Sequence, residues 1–159
     1  MKFLPAAALV LAAPFAFAEP EVSETRHKDW TQVCLSENDQ TRCEAIQVLN
    51  VTQDDQTRPL LRATLSRVPD GRFLEIALPL GMDLRAGLVI QVDSGDELTF
   101  GYSTCVAQGC AAVLPVDDSL LSVLRAGNKA RLGFRPFGST QTQVVELSLS
   151  GFTAASKGV

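Results

Sequence analysis

Residues 78–110, LPLGMDLRAGLVIQVDSGDELTFGYSTCVAQGC, hold the pattern from which the fold is read. Leu88, Ile90 and Val92 fall on one side of an extended chain, with Val89, Gln91 and Asp93 on the other. The same alternation sets Leu98, Phe100 and Tyr102 opposite Thr99, Gly101 and Ser103. A period of two marks half-buried β-strands. Between the runs, Asp93-Ser94-Gly95-Asp96 supplies residues that accept a tight reversal. A second hairpin is predicted about Cys105-Val106-Ala107-Gln108-Gly109-Cys110, its ends pinned by a disulfide. Gly109 would take backbone angles that other residues resist. Closing so short a loop stabilises by only about 2 kcal/mol in the chain-entropy description. The bond is therefore expected to fix the hairpin tip more than the whole domain.

Outward from this stretch the alternation recurs. Leu61, Ala63 and Leu65 alternate with Arg62, Thr64 and Ser66, and Pro69-Asp70-Gly71 turns the chain into Leu74, Ile76 and Leu78. Ala130, Leu132 and Phe134, then Val145, Leu147 and Leu149, repeat the pattern. Trp30 to Cys34 reads as a strand, Leu35 to Thr41 as a polar turn, and Cys43 opens an apolar run from Ala45 to Val51. A Cys34–Cys43 bridge across that turn would contribute roughly 2–3 kcal/mol. Four cysteines permit three pairings; the local one is favoured because each pair brackets a turn. Strands separated by turns, without repeated helices, point to an all-β fold, an antiparallel β-sandwich. One short helix is expected over Ser119–Ala126, capped by Asp117 or Asp118, with Leu120, Val123 and Leu124 as its buried stripe and Gly127 at its end.

The first 18 residues, MKFLPAAALVLAAPFAFA, match a secretory signal cut after Ala18, with one cation at Lys2 and an A-x-A ending. The apolar part is too short for a membrane span and contains Pro5 and Pro14. Residues 19–29 are polar and aperiodic, which predicts a flexible N-terminal arm. Residues 30–159 are expected to form a single domain. Removing the signal takes Lys2 and no acid, moving the formal charge from -4 to -5. An acidic domain without a basic run is poorly suited to nucleic acid or anionic lipid. An even set of four cysteines in an exported chain implies two disulfides.

The residues offer little catalytic chemistry. His27, the sole histidine, sits between Arg26 and Lys28 on the predicted arm, which suits a solvated side chain rather than a positioned base. The C-x8-C and C-x4-C spacings lack a zinc knuckle, and a redox pair prefers C-x-x-C at a helix start. No metal or other cofactor is therefore expected. Asp93, Asp96 and Glu97 do not follow a calcium-loop spacing and read as a solvated turn. Asp83 and Arg85 read as a weak surface pair, and Trp30 as core. Arg131 and Arg135 share one strand face and, with Gln108 at the hairpin tip, form the candidate partner surface.

Asp29 to Cys34 (DWTQVC), Cys43, Leu78 to Asp93 (LPLGMDLRAGLVIQVD), Thr104 to Cys110 (TCVAQGC) and Leu149 to Phe152 (LSGF) together resemble the invasion-associated locus B family. The resemblance implies an exported bacterial envelope or periplasmic protein with a β-sandwich-like domain and paired cysteines, its last strand at Leu149–Phe152. The family takes its name from an association with host-cell invasion, and the resemblance supplies no catalytic residue. The leading expectation is a non-enzymatic binding module whose partner is an envelope protein or surface component, contacted near Cys105–Cys110. A thiol-disulfide enzyme using Cys105 and Cys110, and a structural envelope component, are the alternatives.

Overall fold

The computed structural model describes residues 20–159; the expected signal segment, with its cut after Ala18, lies outside the described residues. The elements are β1 (Glu21–His27), β2 (Trp30–Glu37), β3 (Gln40–Gln53), β4 (Gln56–Val68), β5 (Gly71–Leu78), β6 (Leu88–Val92), β7 (Glu97–Phe100), β8 (Tyr102–Val106), β9 (Gly109–Val116), α1 (Asp118–Ala126), β10 (Lys129–Phe134), β11 (Gln143–Ser148) and α2 (Phe152–Ala155). Seven strands form one sheet in the order β1-β2-β3-β4-β5-β9-β8, and four form a second in the order β11-β10-β6-β7. Every pairing is antiparallel. Alternate residues of the large sheet, such as Leu61, Leu65 and Ile76, meet Leu88, Ile90, Leu132 and Phe134 of the small one in a single core. Each such side chain contributes about 1.5–3 kcal/mol on burial.

Short reversals fold the first five strands into a meander. Asn38 and Asp39 take φ of 49° and 61°, and Asp54 and Asp55 take 51° and 59°. Two left-handed residues in succession match the twist of a tight hairpin, and Asn and Asp tolerate that conformation. Between β3 and β4 the register shifts, with Leu49 opposite Leu61 but Asn50 opposite Pro59. Leu60 is thus the extra residue of a bulge.

Five expectations about the elements need correction. The polar turn read over Leu35–Thr41 shrinks to Asn38–Asp39, because β2 continues to Glu37 and β3 begins at Gln40. The predicted N-terminal arm is strand β1, paired with β2 from Glu21↔Ser36 to His27↔Trp30. Its side chains are exposed on both faces, so it shows no alternation, and main-chain pairing to β2 is what orders it. Phe100 and Tyr102 do not share a face: β7 edges the small sheet and β8 the large one, the chain crossing between layers at Gly101. The helix buries Leu121 and Leu124, while Val123 is exposed. Finally, Leu149–Phe152 is not a strand. Gly151 turns the chain at φ 92° and Phe152 opens α2. A Cβ on Gly151 would overlap the His27 carbonyl oxygen, so only glycine fits this approach.

Trp30 is core, as expected, with no exposed surface. Its Nε1 donates to the Ser148 carbonyl oxygen at 2.7 Å. Its ring meets Phe152 edge-on, centroids 4.8 Å apart and planes at 69°. One side chain therefore ties β2 of the large sheet to the end of β11 and to α2.

Candidate functional site

The cysteines pair locally, Cys34 with Cys43 and Cys105 with Cys110, each pair with Cα atoms 4.0 Å apart. Each bond joins residues directly opposite one another on neighbouring strands. No free cysteine occurs among the described residues. Gly109 takes φ 148°, and a Cβ there would overlap the Leu78 carbonyl oxygen, so the β8–β9 tip fits against β5 only with glycine. Among the described residues no group of three or more His, Cys, Asp or Glu is placed to hold a metal ion.

Beside this tip, two loops are laced together. Met82 and Pro136 form an isolated antiparallel bridge. The Asp83 N–H donates to the Arg135 carbonyl at 2.8 Å, and the Phe137 N–H to the Gly81 carbonyl at 2.7 Å. Asp83 and Arg85 are not the exposed surface pair expected from sequence: the Asp83 side chain is only 9% exposed. Its Oδ1 accepts from the N–H and Nε of Arg85, both at 3.2 Å, and its Oδ2 accepts from Nη2 of Arg135 at 2.9 Å. Burial pushes the carboxyl upward, but the hydrogen bonds from Arg85 and Arg135 and the Arg85 charge outweigh it and hold Asp83 below its ordinary value. The neighbouring Tyr102 phenol is raised by burial and by the Asp83 charge, so it keeps its proton.

These anchors hold out apolar side chains. Leu80 is 55% exposed, Leu84 49% and Phe137 74%. Leu80, Met82, Val51, Arg62 and Gln108 line a groove of about 640 Å³. Gln108 is exposed at the hairpin tip, as the sequence indicates. Arg135 lies just past the end of β10 and is committed to Asp83. Arg131 is elsewhere, on the outer face of β10 with Gln91, its Nη1 3.4 Å from Gln91 Oε1. Gln108 and Arg135 thus flank the same laced loops through Met82 and Pro136, and Arg131 does not join them. Sequence reasoning missed Leu80, Leu84 and Phe137. The available signal was apolar residues inside the loop sequences Pro79-Leu80-Gly81 and Pro136-Phe137-Gly138, where no strand would bury them.

In the acidic turn Asp96 and Glu97 are exposed, as expected, and Asp93 departs from the solvated reading. Asp93 takes φ 48° and accepts hydrogen bonds from the main-chain N–H groups of Asn128 (3.0 Å to Oδ2) and Lys129 (3.1 Å to Oδ1). Those bonds hold its carboxyl below the ordinary value. Asp93 is a clamp between the end of β6 and the start of β10.

The Invasion associated locus B (IalB) protein family profile matches residues 30–159. Invasion protein B homologs from two strains of Brucella abortus are each 32% identical over 154 residues, covering 93% of this chain and 87% of theirs. The crystal structure of invasion associated protein B from Bartonella henselae shares the fold, with a TM-score of 0.68 at 21% identity, covering 84% of this chain and 91% of that one. The residue pattern, the two-sheet architecture and these likenesses agree, and the chain belongs to the invasion associated locus B family.

Proposed function

We propose that this protein is a non-catalytic recognition module of the bacterial envelope or periplasm, which engages another envelope protein or a surface component. One observation carries the reading: Leu80, Leu84 and Phe137 stand exposed on two loops tied together by the buried Asp83 and its partners Arg85 and Arg135. Exposed apolar side chains on rigid supports lose little entropy on binding, which is what an interaction surface needs. Gln108 extends this face with an adaptable polar group, and the exposed Arg62 gives the adjoining groove a positive rim. Both oxidised pairs suit a compartment that preserves disulfides. No helix among the described residues is long and apolar enough to cross a membrane. Export through cleavage after Ala18 is part of the same proposal.

The test is site-specific photo-crosslinking in the native envelope. A benzophenone amino acid replacing Phe137 should give a discrete, saturable adduct, lost when Leu80→Asp is added; the same probe replacing Glu24 on β1 should give none. Equal adducts from both positions, or none from position 137, would refute the assignment of this face.

A further inference from the structure

A second concavity lies away from the laced loops, where the β6–β7 hairpin of the small sheet, β9 of the large sheet and α1 diverge. Its volume is about 610 Å³, within the range of small-molecule sites. Ile90, Leu114 and Leu124 of the core line it, respectively 2%, 9% and 1% exposed. These three side chains are packed beneath its floor, so the cleft lies over the edge of the core shared by the two sheets. Leu98 and Val123 also line it, yet they are 37% and 47% exposed, large apolar groups left in water by the fold itself. Val123 is the residue that the helical periodicity assigns to the buried stripe of α1; the rotation that buries Leu121 turns Val123 outward. The ionisable side chains lining the cleft are Asp96, on the β6–β7 turn, and Asp117, the helix cap, and no Lys or Arg is among the lining residues.

From the apolar lining and the charge of its only ionisable groups, we infer that this cleft binds a single-chain amphiphile with a cationic head. The chain covers Leu98, Leu120 and Val123, above the buried Ile90, Leu114 and Leu124. The head remains at the edge, near Asp96 and Asp117. An anionic head of the same chain length is repelled by those two carboxylates. This site is independent of the partner face proposed above.

Calorimetric titration of the purified chain with octyl-, decyl- and dodecyltrimethylammonium, each below its micelle threshold, tests the proposal. One saturable site per chain is expected, about fourfold tighter per added methylene. Dodecanoate should bind about tenfold more weakly than the dodecyl cation at low ionic strength, the gap shrinking with added salt. Val123→Arg and Leu98→Lys, both at exposed positions, should each weaken the cation at least tenfold and leave the urea midpoint unchanged. Absence of a saturable site, no dependence on chain length, equal binding of dodecanoate, or indifference to both substitutions would overturn the proposal. So would dimerisation of the free chain that Val123→Arg abolishes, because a second copy would then be the occupant.

Discussion

Replacing Trp30 by Phe probes how the two sheets are held together. The indole of Trp30 is fully buried, donates to the Ser148 carbonyl at 2.7 Å and packs on Phe152. Phe preserves the ring edge but removes the donor and part of the volume. The Ser148 oxygen is not orphaned, because Gln47 Nε2 also donates to it at 3.1 Å. The lost hydrogen bond therefore costs about 1 kcal/mol, without a full desolvation penalty. A residual gap of roughly 40 Å³ at about 24 cal/mol per Å³ adds about 1 kcal/mol. The expected destabilisation is about 2 kcal/mol, a substantial share of the 5–15 kcal/mol available to a domain. Gln47→Met removes the second donor to Ser148, together with a bond of 3.0 Å to the Asp29 carbonyl. In the double variant Ser148 has neither side-chain donor, so its loss should exceed the sum of the two single-variant losses by roughly 1 kcal/mol. Urea unfolding followed by far-ultraviolet circular dichroism measures all four corners of the cycle. A Trp30→Phe effect below about 0.5 kcal/mol, or strict additivity, would refute the shared-acceptor account.

Gly109→Ala should destabilise by at least about 1–3 kcal/mol from backbone strain alone, whereas Gly101→Ala, where a Cβ meets nothing within 4 Å, should change the urea midpoint little. Removing Cys105 and Cys110 together by Ala substitution should cost about 2 kcal/mol, and removing Cys34 and Cys43 roughly 2–3 kcal/mol; a larger loss from the shorter loop in paired melts would contradict the chain-entropy account. Asp93 and Asp83, and Asp118 through the hydrogen bonds and charge of Arg72, have carboxyls held below their ordinary value of 3.8, so the folded chain binds fewer protons than the unfolded one near that pH. Their stabilisation is complete above that value and is lost as pH falls through the lower folded values. Asp93→Asn should make the decline in unfolding midpoint between about pH 4 and about pH 2 shallower, and an unchanged slope would count against the clamp.

What the sequence made legible depended on whether burial left a periodic trace. β5, β6 and β10 bury one face each, so Leu74, Ile76, Leu88, Ile90 and Leu132 could be placed from alternation. The β8–β9 tip was equally clear, because Gly109 and the two cysteines encode a closed turn. β1 left no trace because neither face is buried. The separation of Phe100 from Tyr102 was hidden because alternation continues unbroken across Gly101 while the hydrogen-bonding partner changes from β6 to β9. Beside the laced loops, the exposure of Gln108 followed from the hairpin. The anchor beneath Leu80 and Phe137 did not, because Asp83 and Arg135 are 52 residues apart and meet only after both sheets have formed.

The strand order also bears on how the chain acquires its structure as it emerges N-terminus first. β1 to β5 each pair with the next strand along the chain, so their contacts are local and form early. β6 pairs with the next strand, β7, as in Ile90↔Leu98, but its other edge must wait for β10, through pairs such as Ile90↔Leu132 and Leu88↔Phe134. Until then the inner surface of the nascent meander, including Leu61, Leu65 and Ile76, has at most the two-stranded β6–β7 hairpin as an opposing layer. The final third of the polypeptide, with β10 and β11, completes that cover, which makes the period before its arrival the interval of greatest exposure to chaperones and to self-association.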